Sequence, residues 1–231
     1  MDGGWLDMDA DFQKHEAAEA AAELVKDGMI VGLGSGTTAA VAVEAIGRRG
    51  LRIVGVPTSE KTAELARRCG IALTTLAAHP HLDLTIDGAD EIETGTLALI
   101  KGRGGALLRE KIVAAATGRL VIVADESKVV PRLSALERPI PVEVVPFGWE
   151  TTAERLEALG AEPKLREGFL TDGGHYILDC LFPEVEEPAA RAPALDATVG
   201  VVEHGLFLGM ASEAIIAGDA GVMVLRCERR S

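Results

Sequence analysis

A chain of 231 residues, 48% hydrophobic and only 3% aromatic, has room for one large domain or a large and a small one. Its 36 acids against 23 bases leave a net charge of −13, which speaks against a nucleic-acid surface; any phosphate must be held by local donors against the overall field. Cys69, Cys180 and Cys227 are odd in number and far apart, the start MDGGWLDMDADF has no signal-peptide pattern, and no apolar run approaches the roughly 18 residues that span a bilayer. A cytoplasmic protein without disulfides, membrane contact or nucleic-acid partner is expected.

Residues 1–8 read as a tail, and the Ala/Glu/Lys-rich stretch 9–26 as a helix ended by Asp27-Gly28. A short buried strand at 29–33 leads through Gly34-Ser35-Gly36-Thr37-Thr38 into a second helix that lasts to about Arg49. Strand 53–56 precedes a helix capped by Thr58 or Ser59, running to Cys69 and stopped by Gly70. Strands follow at 71–73 and 82–86, a helix at about 105–117, and a strand at 120–124. Short apolar strands alternating with helices predict a Rossmann-like, doubly wound and mostly parallel α/β sheet. After Lys128 the prolines 131, 139, 141 and 146 change the texture. A strand at 140–145, a helix at 149–159, a segment at 168–171 and a strand at 175–180 form a smaller inserted α+β domain. There Asp172-Gly173-Gly174 is a hairpin signal. The expected division is 1–131 plus 206–231 for the larger domain and 132–205 for the smaller, with strands 213–217 and 222–225 returning to the first sheet.

Charge and glycine crowd together between residues 84 and 111. Asp87 and Asp90 follow an apolar strand at the carboxyl end, where open α/β sheets bind ligands. Two carboxylates in one turn push one pKa upward, as a proton-transferring group requires; the alternative is an Asp-Gly turn with a helix cap. Lys101 ends a mostly apolar run and opens a turn containing Gly102, Gly104 and Gly105. Glu110 falls, at helical spacing, among Leu107, Ala106 and Ala114, in a sector with no other charge. This helix reads as apolar nearly all round, with Leu108, Ile112 and Ala116 opposite, so a carboxylate there is costly unless paired or functional. It suits a general base for carbon-bound protons, or an ion pair with Arg109 or Lys111. Lys128 lies just past strand 120–124, at the same sheet edge or simply solvated.

Gly34-Ser35-Gly36-Thr37-Thr38-Ala39 fits G-x-G-x-x-(G/A) after a strand and before a helix. The next strand, however, has no acid at its tip for a ribose hydroxyl, and the Gly-Lys-Ser/Thr of a nucleotide P-loop is absent. What remains is a set of backbone N–H groups and three hydroxyls at a helix N-terminus, suited to a single phosphate or to capping alone. His79 and His81 have no third metal ligand at a recognisable spacing, His15, His175 and His204 are isolated, and no nucleophilic triad or elbow appears.

Four blocks, in order, make the chain resemble the type A ribose-5-phosphate isomerases: 34–40, Asp87-Gly88-Ala89-Asp90-Glu91, residues 101–111 (KGRGGALLREK) and residues 123–128 (VADESK). The similarity extends over nearly the whole chain; Cys180-Leu181-Phe182-Pro183-Glu184-Val185 is an unusual version of its segment. The resemblance implies interconversion of D-ribose 5-phosphate and D-ribulose 5-phosphate, a step of the non-oxidative pentose phosphate pathway, with neither metal nor organic cofactor. It implies that Ser35, Gly36, Thr37 and Thr38 hold the phosphate and that Glu110 moves a proton between C2 and C1. Asp87 would open the furanose ring, Asp90 bind hydroxyls and Lys101 stabilise a cis-enediolate. Gly88, Ala89, Gly102, Arg103, Gly104 and Lys128 complete the implied substrate contacts. It also implies a homodimer or homotetramer, with the smaller domain as the contact. Two other readings are a non-catalytic sugar-phosphate sensor, which would carry a basic helix-turn-helix absent here, and an amino-sugar-phosphate deaminase or acyl-CoA transferase of similar fold.

Overall fold

The computed structural model describes residues 3–134, 138–182 and 188–227. In chain order it has α1 (Gly3–Ala22), β1 (Ile30–Leu33), α2 (Thr37–Arg48), β2 (Val54–Pro57), α3 (Glu60–Arg68), β3 (Ala72–Leu73) and β4 (Leu84–Gly88). Two short strands, β5 (Glu91–Glu93) and β6 (Leu99–Ile100), precede α4 (Leu107–Ala115) and β7 (Leu120–Asp125). Past a 3-10 turn at Glu126–Lys128 come β8 (Val129–Val130), β9 (Ile140–Val144), α5 (Trp149–Ala158), β10 (Glu162–Leu165), β11 (Tyr176–Leu181), α6 (Pro188–Asp196) and β12 (Val201–His204). The last are β13 (Leu206–Phe207), β14 (Ala211–Gly218) and β15 (Gly221–Arg226).

The main sheet has the order β15-β14-β7-β4-β1-β2-β3, parallel throughout except for the β14–β15 pair. Its central strands bury both faces, while β15 at the edge is largely exposed, and the period of two divides the buried side chains. Val121, Val123, Ile215 and Ala217 pack with the alanines of α1 and the inner face of α2. Leu120, Ile122, Ala214 and Ile216 pack against Ile92, Leu99 and Phe207 on the other side. Each fully buried Ile or Leu is worth about 1.5–3 kcal/mol over exposure, which fixes the register. The chain winds outward in opposite directions from β1 and β4, so the turns after these two strands diverge and leave a crevice at their carboxyl ends.

A second sheet, β10-β11-β9-β12, is antiparallel throughout and has the β-α-β-β-α-β succession of a ferredoxin-like unit. Between the two lies a third sheet of short strands, β13-β6-β5-β8. It hangs Lys101 across the crevice: Asp90 N–H donates to the Ile100 carbonyl (2.8 Å) and Lys101 N–H to Gly205 O (2.8 Å).

Three expectations change. Helix α1 begins at Gly3, six residues before the expected start, and ends at Ala22. The hairpin partner of β11 is β10 (Glu162–Leu165), not 168–171, which lies in a long loop. Pro163 and the alternating exposure of β10 conceal it as a strand, and its place at the sheet edge tolerates the missing N–H. Helix α4 is buried on one face only, since Ile112 is 49% exposed. Pro183, Glu184 and Val185 lie outside the described residues. Among those described, no helix is long and apolar enough to cross a membrane.

Candidate active site

The turn after β1 is built by two glycines with different reasons. A Cβ on Gly34 would stand 2.6 Å from the Cα of Asp87, so only hydrogen allows the two turns to touch. Gly36, at φ 99° and ψ 177°, occupies a region closed to other residues and caps α2 without a side chain. The first N–H groups of α2 are thus left to a ligand, at the positive end of the helix dipole. The hydroxyl of Ser35 is already engaged. It contacts Thr58 Oγ1 (2.8 Å), Ser59 Oγ (2.8 Å) and Thr62 Oγ1 (3.0 Å), while its N–H donates to Asp87 Oδ1 (3.1 Å). Ser59 also caps α3 through the Thr62 N–H (3.1 Å). This four-hydroxyl cluster ties the turn to α3; the N–H groups of Gly36, Thr37 and Thr38 and the hydroxyls of Thr37 and Thr38 remain for a phosphate.

Facing this turn, three charges are buried together. Asp87 at the end of β4 is 2% exposed, Lys101 3% and Glu110 5%. Lys101 Nζ lies 3.0 Å from Asp87 Oδ2 and 3.3 Å from Glu110 Oε1, donates to the Gly88 carbonyl (2.5 Å), and stands 5.5 Å from the centre of the Phe207 ring. Burial tends to lower the Lys101 ammonium, but Asp87 and Glu110 together outweigh it and hold it above its ordinary value. Glu110 is pushed up to about 8, first by burial and then by the Asp87 carboxylate, against the pull of Lys101. Burial also raises Asp87, opposed by Lys101 and the Gly88 and Ser35 amides. Glu110 Oε2 is buried without a hydrogen-bond partner among the described residues. A desolvated carboxylate with one free oxygen beside a fixed ammonium can take a proton from carbon while the ammonium holds the oxyanion that results.

A cavity of about 400 Å³ collects these parts. It is lined by Ser35, Gly36, Thr37 and Thr38 from one turn, and by Gly88, Ala89 and Asp90 from the next. Lys101, Gly102, Arg103 and Gly104 form another wall, with Glu110 and Lys128 beside them. Asp90 Oδ2 accepts the Arg103 N–H (2.9 Å), closing the turn. Burial lowers the Lys128 ammonium, with Arg138 and Arg103 contributing. Asp87 alone of the expected residues is not in the lining: it lies behind, with both oxygens engaged.

Lys14 also lines the cavity, and the motifs gave no hint of it. It sits on α1 in line with the buried Ala17, Ala18 and Ala21, and a single lysine on a small-residue stripe was the available signal. The three isolated histidines all have partners: His15 Nδ1 meets the Asp11 carbonyl (2.8 Å), His175 Nδ1 meets Glu143 (2.9 Å) and His204 Nε2 meets Asp196 (3.1 Å). Asp196, Glu203 and His204 place ligand atoms within 4.8 Å of one another, but the Lys111 ammonium already sits 2.6 Å from Glu203.

The sequence profile of the family described as Ribose 5-phosphate isomerase A (phosphoriboisomerase A) matches residues 54–221. The chain is 58% identical over 225 residues to ribose-5-phosphate isomerase A of Gloeobacter violaceus, covering 94% of this chain and 97% of that one. It is 59% identical over 226 residues to the protein of the same name from a Synechococcus species, covering 94% and 98%. Among solved structures, ribose 5-phosphate isomerase A from Methanocaldococcus jannaschii superposes with a TM-score of 0.89 at 36% identity, over 94% of this chain and 99% of that one. A D-ribose-5-phosphate isomerase in complex with phospho-erythronic acid superposes at 0.90 with 36% identity and the same coverage.

Proposed function

The chain belongs to the ribose 5-phosphate isomerase A family, and from that premise we propose that its cavity interconverts D-ribose 5-phosphate and D-ribulose 5-phosphate with Glu110 as the base. The observation that carries the assignment is the unpartnered Glu110 Oε2, on a buried carboxylate whose other oxygen is 3.3 Å from Lys101. The phosphate rests on the N–H groups of Gly36, Thr37 and Thr38, with the Lys14 ammonium beside it. Asp90 takes sugar hydroxyls; Asp87, reached through Lys101, governs ring opening.

In the open aldose Glu110 removes the C2 proton, and the electron pair moves through C2–C1 onto the carbonyl oxygen, giving an enediolate held by Lys101. The C2 hydroxyl proton then passes to the C1 oxygen and the same carboxyl returns its proton to C1, so that C2 becomes the carbonyl, C1 a hydroxymethyl group, and the ketose forms. Both electrons stay in the carbon skeleton, so the stoichiometry needs no oxidant. The test is to incubate the protein with ribose 5-phosphate and a chelator and follow ketose formation. Activity is expected, and Glu110→Gln is expected to lose about 10²–10⁴-fold in kcat with its fold intact. Near-normal turnover by this variant would sink the assignment.

Residues 1–131 with 206–231 are proposed as the catalytic unit. The unit 132–205 is proposed as the contact of a homodimer or homotetramer, supported by the exposure there of Phe147 (94%) and Val199 (72%). A cytoplasmic location belongs to the same proposal.

A further inference from the structure

The wall formed by residues 101–105 contains three glycines, and a glycine turn has more backbone freedom to lose than any other. Its position matters, because Lys101 must meet an enediolate oxygen and misplacement by about 1 Å can cost on the order of 10²-fold in rate. The restraint comes from the second sheet. Arg166, just past β10, donates from Nη1 to the carbonyls of Arg103 (3.0 Å) and Gly102 (3.4 Å). Its Nε and Nη2 are fixed by Asp179 of β11, at 2.9 and 2.5 Å. Four donated hydrogen bonds leave this guanidinium little freedom. Three residues on, Phe169 lies under the Arg166 guanidinium (5.4 Å to the ring centre) and fills the space where a Cβ on Gly105 would be, 2.2 Å from its Cζ.

The same loop reaches the other two walls through Asp172. Its Oδ2 accepts the N–H of Glu60 (2.8 Å) at the start of α3, next to the Ser59 that binds the Ser35 hydroxyl. Arg109, which precedes Glu110 on α4, donates to Asp172 Oδ2 (3.4 Å) and to its carbonyl (3.3 Å), and pairs with Glu60 (2.9 Å). The loop is itself anchored by the buried Glu143, whose Oε1 accepts the Thr171 hydroxyl (2.9 Å) and meets His175 Nδ1 (2.9 Å). None of Arg166, Phe169 and Asp172 lines the catalytic cavity.

We propose that residues 166–175 form a strap that sets the distances between the phosphate turn, the lysine turn and the base, with Arg166 and Asp172 as its positioning residues. The proposal rests on the isomerase reading of the cavity. The strap acts on the transition state more than on the resting substrate, because its direct bonds go to the lysine turn, to Arg109 beside the base and to the start of α3, and it reaches the phosphate turn only through Ser59. Its loss therefore separates kcat from KM.

The experiment compares the wild type with Arg166→Met, which keeps the stem over Phe169 but removes the donors, and with Asp172→Asn. Ketose formation, affinity for phospho-erythronic acid and inorganic phosphate, and the thermal midpoint are measured for each. Arg166→Met is expected to lose about 10–100-fold in kcat with KM and phosphate affinity within about threefold; Asp172→Asn shows the same pattern more weakly. Affinity for phospho-erythronic acid should fall in step with kcat. The proposal is overturned if kcat stays within about twofold, if KM rises and phosphate affinity falls by as much as kcat drops, or if the activity lost merely follows the unfolded fraction. An inactive wild type would overturn the isomerase reading itself, a different result from active wild type with unaffected variants.

Discussion

Glu110 carries opposite demands on activity and stability. In the proposed reaction the base is its ionised form, so kcat/KM is expected to rise as pH climbs through about 8, the value to which burial and Asp87 push it. Stability runs the other way. The folded state keeps a proton that an ordinary glutamate, near 4.5, has released, so the stabilising contribution is complete below about 4.5 and is lost as pH rises through about 8. Asp87 is shifted in the same direction, while Lys101, already raised, stays charged across this window. Glu110→Gln should therefore gain thermal midpoint over the wild type at about pH 8.5 and much less at about pH 5. Paired melting curves at the two values check this, and an equal gain at both would contradict the raised value.

At the scale of elements, the proposed phosphate subsite is a helix N-terminus completed by one lysine from another helix. Gly36→Ala forces a backbone region that costs about 1–3 kcal/mol for other residues, and no neighbour crowds the added methyl, so backbone conformation alone is tested. This variant and Lys14→Ala are each expected to raise KM and weaken inorganic phosphate inhibition by about tenfold, a loss near 1.4 kcal/mol, with a smaller change in kcat. Steady-state kinetics with phosphate as inhibitor separates the two. The main sheet was legible because its strands are continuous apolar runs punctuated by glycine, and the position of Glu110 was legible because one charge interrupted a helical face. Strands β5, β6 and β13 were not, since two or three residues show no period. Nor was the role of the Ser35 hydroxyl: its partners Thr58, Ser59 and Thr62 come from the next crossover, and sequence spacing does not reveal which hydroxyls converge.

For the molecule as a whole, the cavity joins segments from residue 14 to residue 128. A bound ligand therefore cross-links α1, the two diverging turns, the lysine turn and α4, and opposes their separation on unfolding. At about 100 times its dissociation constant a ligand adds about 2.7 kcal/mol, which for a chain of this size is a rise of about 5–10 °C in midpoint. Phospho-erythronic acid is expected to produce that shift by calorimetry and to lose most of it in Lys14→Ala. The net charge of −13 makes the local cations the reason an anion enters at all.

The bond from Lys101 N–H to the Gly205 carbonyl has a further consequence when the chain is considered in the order of its synthesis. Every group that lines the cavity has been synthesised by residue 128, yet β6 gains its outer neighbour β13 only some eighty residues later. Lys111, bound to Glu203 and the His204 carbonyl, waits for the same segment. The nascent chain thus carries the proposed set of reactive groups long before it can fix them in place, and that fixing waits until residues 203–207 return to residues 99–111.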